Sequence, residues 1–156
     1  MWMYAVIRIR GRAGVNRDVV QTLRYLRLTR VNHLVLLPKN RVNDGMLRKA
    51  KDYITWGEID RETLAELIAK KGRLVGDRPI DLEYLKKLNF TSFEELADAI
   101  LEKKVRYDKL PDIKPVFRLN PPRGGFKNTK RSFNEKGDLG YRQKHINELI
   151  KRMMVI

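Results

Sequence analysis

Trp2-Met-Tyr-Ala-Val-Ile-Arg-Ile-Arg10 decides how the rest of the chain is read. Met3, Ala5, Ile7 and Ile9 alternate with Tyr4, Val6, Arg8 and Arg10, the two-residue period of a strand. The period predicts the odd-numbered side chains in a core, with Arg8 and Arg10 pointing away from it. Gly11-Arg-Ala-Gly14 is a turn, and Asn16 offers an N-cap to a helix with Val19, Val20, Leu23 and Leu26 on its buried face. Arg17 and Arg24 share another face of that helix, with Arg27 close by. Asn32 to Leu37 is a second strand, stopped by Pro38. Asp44 to Asp52 suits a short helix, with Met46, Leu47 and Ala50 inward and Arg48, Lys49 and Lys51 outward. Tyr53-Ile-Thr-Trp56, rich in β-formers, reads as a third strand. The order β-α-β-α-β is buried naturally as an antiparallel sheet with both helices on one face. The fold class is therefore α+β, with a ferredoxin-like core.

Beyond this unit the character changes. Asp60, Asp81 and the capping-box pattern Ser92-Phe-Glu-Glu95 open three short amphipathic helices, the first closed by Gly72. They read as a small packed helical insertion, suited to protein contact or stability. Ile113 to Leu119 resumes a strand. Asn120 to Gly140 has no helix or strand period, but two prolines, four glycines and five Lys/Arg against two acids. Structureless stretches longer than ~12–15 residues are usually functional or disordered, so this one reads as an extended basic arm. Ile146, Leu149, Ile150 and Met153 mark a C-terminal helix. The expected organisation is a core over residues 1–59, a helical insertion over 60–112, and a returning strand, arm and helix over 113–156.

Charge points to the partner. The chain has 156 residues, with 34 Lys+Arg against 19 Asp+Glu, a net of +15. Residues 1–57 carry a net of +9, residues 58–104 a net of −2 and residues 105–156 a net of +8. A merely basic surface would spread its excess more evenly. Two cationic blocks around a near-neutral one imply a polyanionic partner, nucleic acid before an anionic membrane surface. With no Cys, disulfides, thiol nucleophiles and zinc-thiolate sites are excluded, and His33 and His145 alone leave little for a metal centre. The longest aliphatic run, Leu34 to Leu37, is far short of the ~20 residues of a membrane span. No signal peptide is visible, so a soluble, cytoplasmic protein is expected.

Catalytic motifs are missing: no nucleotide-binding glycine loop, no H-E-x-x-H and no G-x-S-x-G occurs. One enzyme reading survives. Gly11 to Arg17 follows a strand and opens a helix, so its amides could cradle a phosphate beside Arg17, with Asn32 positioning a water. This is similar to the phosphate loop of the small, ferredoxin-like acylphosphatases, but leaves nearly everything after Trp56 unexplained. The same geometry serves an RNA phosphate equally well. The arm favours RNA, since cations contact phosphates, glycines allow close backbone approach, and Phe126, Phe133 and Tyr141 are candidates to stack on unpaired bases. No helix-turn-helix, zinc-finger or basic-zipper pattern argues for DNA. The candidate RNA-binding residues are Arg8, Arg10, Arg12, Arg17, Arg24, Arg27, Arg30, Asn32, His33, Lys39, Arg41, Arg48, Lys49 and Lys51 in the core. In the arm they are Arg118, Arg123, Gly124, Gly125, Phe126, Lys127, Lys130, Arg131, Phe133 and Tyr141. A free RNA-binding regulator is a further alternative.

Four segments carry a family resemblance: Arg30-Val-Asn-His33, Asn43-Asp-Gly-Met-Leu-Arg-Lys49, Ile54-Thr-Trp-Gly-Glu58 and above all Leu119-Asn-Pro-Pro-Arg-Gly-Gly125. Over essentially its whole length the chain resembles the archaeal form of the large-ribosomal-subunit protein family numbered thirty, related to the eukaryotic family numbered seven. The resemblance implies a non-enzymatic structural constituent of the large subunit that supports translation. It would be bound to ribosomal RNA near the 5S RNA and to neighbouring ribosomal proteins. It implies no cofactor, metal, membrane or small-molecule substrate.

Overall fold

The computed structural model describes residues 3–11 and 14–154. Strand β1 (Met3–Arg8) is followed by helix α1 (Arg17–Tyr25), β2 (His33–Pro38), α2 (Arg41–Lys49) and β3 (Ile54–Glu58). β1 lies between β2 and β3 and runs antiparallel to both, with Val6 opposite Val35 on one side and Trp56 on the other. This is the expected βαβαβ unit. Asn16 caps α1 by accepting from the Asp18 amide at 2.8 Å. The second helix begins three residues before Asp44, because the Asn40 side chain accepts from the Asn43 amide at 2.8 Å and so caps the helix at Arg41. On α1, Leu23 and Leu26 are buried as the periodicity predicts, whereas Val20 is exposed. Thr22 is buried in addition, its hydroxyl satisfied by the Asp18 carbonyl at 3.0 Å.

Helices α3 (Arg61–Lys71), α4 (Leu82–Lys87) and α5 (Phe93–Leu101) follow, with short strands β4 (Arg73–Leu74) and β5 (Arg78–Pro79) between α3 and α4. Asp60, Asp81 and Ser92 cap the three helices through the amides of Thr63, Tyr84 and Glu95. The predicted strand from Ile113 to Leu119 is divided into β6 (Ile113–Lys114) and β7 (Phe117–Arg118). Pro115, with no N–H to give a ladder, lies between them. β6 pairs with β4 in a separate three-stranded sheet, while β7 joins the main sheet beside β2. After the arm, β8 (Gly140–Tyr141) adds to β3 in parallel, and α6 (Ile146–Met153) closes the chain.

The two faces of β1 meet two different cores. Tyr4 and Val6 pack with Leu23, Leu26 and Leu47 under α1 and α2. Met3, Ala5 and Ile7 pack with residues of α3, α5 and α6, and with Phe117. The helices expected as an appendage thus share one apolar cluster with the core strands, and all of β1 is buried. On α6, Ile146, Leu149, Ile150 and Met153 are fully or almost fully buried, an arrangement worth roughly 1.5–3 kcal/mol per side chain. Gly57 makes this docking possible, since a Cβ there would lie 1.9 Å from the Gln143 carbonyl oxygen.

Candidate RNA interface

Strand register gathers the basic segments at one end of the sheet. Arg8, the last residue of β1, stands opposite Ile54, the first of β3, and Ile7 stands opposite Leu34 near the start of β2. The same end therefore collects Arg10, the Arg30-to-His33 segment and Lys51. α2 runs toward it, because it connects the far end of β2 to the start of β3. α6 also finishes there: the Asn120 amide donates to the Met153 carbonyl at 3.0 Å, and the neighbouring Leu119 amide to the Asn32 carbonyl at 3.1 Å. Both helices place cations in their last turns, Arg48 and Lys49 on α2 and Lys151 and Arg152 on α6. The helix dipole accounts for part of that preference.

The arm has both feet at this end. It leaves from Leu119, bonded to Asn32, and returns at Gly140, paired opposite Thr55 near the start of β3. Its first half is tied to α6: the Arg123 amide donates to the Arg152 carbonyl at 3.0 Å, and the Arg152 guanidinium donates to the carbonyls of Arg123 and Gly125. Gly124 and Gly125 have φ of 85° and 73°, a left-handed pair that non-glycine residues adopt only at a cost. Arg123, Lys127, Lys130 and Arg131 are exposed on this loop.

The remaining candidates divide by what surrounds them. Arg17, Arg24, Arg27, Arg30, Lys39, Arg41, Arg48, Lys49 and Lys51 are exposed, with Lys39 and Arg41 at the opposite end of the sheet, past Pro38. Arg27 approaches Asp108 at 3.8 Å, and Arg118 is ion-paired with Asp77. Arg12 lies outside the described residues. Arg8 departs from the expectation that it points away from the core. It is 5% exposed, donating from Nε to the Arg10 carbonyl at 2.9 Å and from a terminal nitrogen to the Leu28 carbonyl at 2.8 Å. The second sheet face is covered and loop carbonyls need donors there, so this cation serves the fold. Arg10 is half-buried over the Tyr53 ring at 5.1 Å.

The aromatic residues are likewise engaged. Phe126 is half-buried against the larger core. Phe133 carries the Arg142 guanidinium at 5.1 Å and lies 5.2 Å from the His145 ring. Tyr141 donates its hydroxyl to Glu58 and packs near Tyr4 and Trp56. Burial and the Glu58 hydrogen bond push the Tyr141 hydroxyl pKa up. Asn32, at φ 69°, and half-buried His33 carry side-chain polar atoms, Oδ1 and Nδ1, that are buried without a partner. Burial and the neighbouring Arg30, Arg118 and Arg8 lower the His33 pKa, favouring a neutral imidazole.

The sequence reading did not single out Arg142, Asp138 or Thr55. Arg142 is 4% exposed and donates from Nε to the Thr55 hydroxyl at 2.8 Å, and from a terminal nitrogen to the Asp138 carbonyl at 2.7 Å and carboxylate at 3.3 Å. Asp138 in turn accepts from the Asn128 amide at 2.8 Å. This buried network pins the returning half of the arm to β3. Burial lowers the Arg142 pKa, and the Asp138 charge opposes that change. The one available signal was an Asp–Arg pair four residues apart beside glycines. Among the described residues no group of three or more His, Cys, Asp or Glu is placed to hold a metal ion.

A sequence profile described as ribosomal protein L30p/L7e matches residues 4–54, the βαβαβ unit. Relatives match far more. Large ribosomal subunit protein uL30 of Staphylothermus marinus is 55% identical over 97% of this chain and 98% of its own length. The protein of the same name from Nanoarchaeum equitans is 52% identical over 97% and 99%, and that from Methanosphaera stadtmanae 48% over 97% and 100%. The chain belongs to this family. The family is one of ribosomal structural components rather than enzymes. Because the relatives align along nearly the whole chain, the helical segment and the arm belong to the shared architecture as much as the profiled unit does. The acylphosphatase-like alternative draws no support from these relatives.

Proposed function

We propose that this chain is a structural constituent of the large ribosomal subunit, acting where ribosomes act, in the cytoplasm. Ribosomal RNA binds across the cationic end of its sheet, and neighbouring ribosomal proteins contact other faces. The observation that carries the reading is the arm with both feet at that end, where Arg30, Lys49 and Lys51 are exposed, and with Arg123, Lys127, Lys130 and Arg131 exposed along it. Phosphate contacts from these side chains set orientation, and the shape of the folded RNA supplies selection. Arg8 is left out, because its guanidinium is buried on backbone carbonyls. The finer placement beside the 5S RNA is supported by the resemblance of Leu119 to Gly125. No helix among the described residues is long and apolar enough to cross a membrane.

The test is binding of the full chain to large-subunit RNA as salt is varied. If ~6–10 phosphates are neutralised, affinity falls by ~10³–10⁵ between 50 and 200 mM salt. An affinity indifferent to salt would overturn the mechanism. Co-sedimentation with large subunits through a high-salt gradient separates a constituent from a free RNA-binding regulator, which would be left behind.

A further inference from the structure

Tertiary structure divides the exposed cations of the βαβαβ unit between opposite ends of the sheet. Arg30, Lys49 and Lys51 stand at the end where the arm is rooted, Lys39 and Arg41 at the other, past Pro38. β2 is six residues long, so about 17 Å of strand separates the two sets. RNA bound at the arm's end leaves the second set without a partner.

At this far end lies a groove of about 490 Å³, with Met3 and Pro38, opposite one another in the sheet, among its walls. Arg27, Lys103 and Arg106 line it, and Lys39 and Arg41 adjoin its lining residues Pro38 and Asn40. These five cations come from three segments: the turn after α1, the start of α2 and the turn after α5. The helical segment, near-neutral in sum, thus contributes Lys103 and Arg106 to a basic surface. Asp108 is the acid in the lining, 3.8 Å from Arg27 and 3.1 Å from Arg106. Among the described residues, Lys39, Arg41 and Lys103 are in no ion pair. Tyr25 also lines the groove, 71% exposed, and among the described residues its ring stacks on no other.

We propose that this groove and its flanking cations hold a second segment of large-subunit RNA, separate from the one at the arm's end. The chain would then tie two parts of the folded RNA together across the length of its sheet. The inference rests on the reading of the chain as an RNA-binding constituent of the large subunit. Exposed cations drawn from three segments suit a run of phosphates, and a free ring among them offers a base a stacking surface. An acidic peptide would use the charge but not the ring. Nor can it add to β2 as a strand, because the register places Val116 and Pro115 of this chain beside Val35 and Leu36.

The experiment exploits the absence of cysteine from the chain, which lets a single introduced thiol carry an iron–EDTA tether. V42C, at an exposed residue of α2 beside the groove, reports on the far end, and D52C, exposed beyond the other end of α2, on the arm's end. Each full-length chain is assembled into large subunits, hydroxyl radicals are released, and the cut nucleotides are mapped by primer extension. The expected result is two sets of cuts in different RNA segments. Adding K103E and R106E to each chain should weaken the V42C cuts roughly tenfold, as like charges meet, and spare the D52C cuts. RNA cuts from D52C but none from V42C would mean that the groove faces protein or solvent, and would overturn the proposal. Cuts in one shared segment, or V42C cuts indifferent to the charge reversal, would overturn it too. No RNA cuts from either position, or absence of the unsubstituted chain from large subunits, would remove the functional reading itself, and this inference with it.

Discussion

The two halves of the arm use their arginines in opposite ways. In residues 119–131, Arg123, Lys127, Lys130 and Arg131 are exposed, and among the described residues none is ion-paired with an acid; the loop is held by its backbone, bonded to Asn32 and to α6. In residues 132–142, Arg142 is buried between Thr55, Asp138 and the Phe133 ring. A guanidinium taken out of water is tolerated only where an acid and further acceptors replace its hydration. An exposed one on a tethered loop remains available to phosphate. The number of cations in a segment therefore says little about its role; what surrounds each of them says more.

The comparison is tested hardest by Arg142→Ala. It leaves Asp138 buried without its cation, and breaking such a pair costs about 3–5 kcal/mol. Chemical denaturation should show a loss of that order, and an unchanged midpoint would mean the returning half is not pinned as described. Next is the fourfold change of Arg123, Lys127, Lys130 and Arg131 to Ala. RNA affinity should drop about 10²–10³-fold and the log–log salt slope become shallower by about 3–4 units, while the thermal midpoint barely moves. A collapsed fold instead would erase the distinction between the two halves.

Gly57→Ala sharpens the anchored side. Its added methyl meets the Gln143 carbonyl, on the segment that leads from the returning half of the arm into α6. Overpacking of this kind costs about 1–3 kcal/mol, seen in denaturant titration together with loss of protection at the α6 amides. The smallest effect concerns His33, on the strand that holds the outgoing foot. Its folded pKa lies below the usual 6.5, burial being the main cause, with Arg30 and Arg118 adding to it. As pH falls through 6.5 the unfolded chain therefore takes up a proton before the folded chain does, and stability declines. His33→Gln should flatten that decline in a pH series of unfolding midpoints.

Much of this architecture was legible in the residue pattern. The alternation from Met3 to Ile9, the caps Asn16, Asp60 and Ser92, and the apolar spacing of Ile146 to Met153 each specify a local geometry through neighbouring atoms. The reading failed where a distant segment decided the outcome. Arg8 looked solvent-facing because alternation marks two faces of a strand but not whether both are covered. Val20 looked buried for the corresponding reason, a face of α1 that nothing covers. Asp138 and Arg142 looked like two more charges in a basic stretch, although Thr55, far away in sequence, completes their site.

Sequence alone determined the βαβαβ order and the helices that follow it, the caps Asn16, Asp60, Asp81 and Ser92, and the two cationic blocks, all of which depend on contacts within a few residues or on composition. Tertiary structure decided which cations remain available, because that depends on desolvation by residues up to 87 positions away, as with Arg142 and Thr55. It also decided where the arm lies. Strand register brings Asn32 and Thr55 to the same end of the sheet, and both feet of the arm are bonded there.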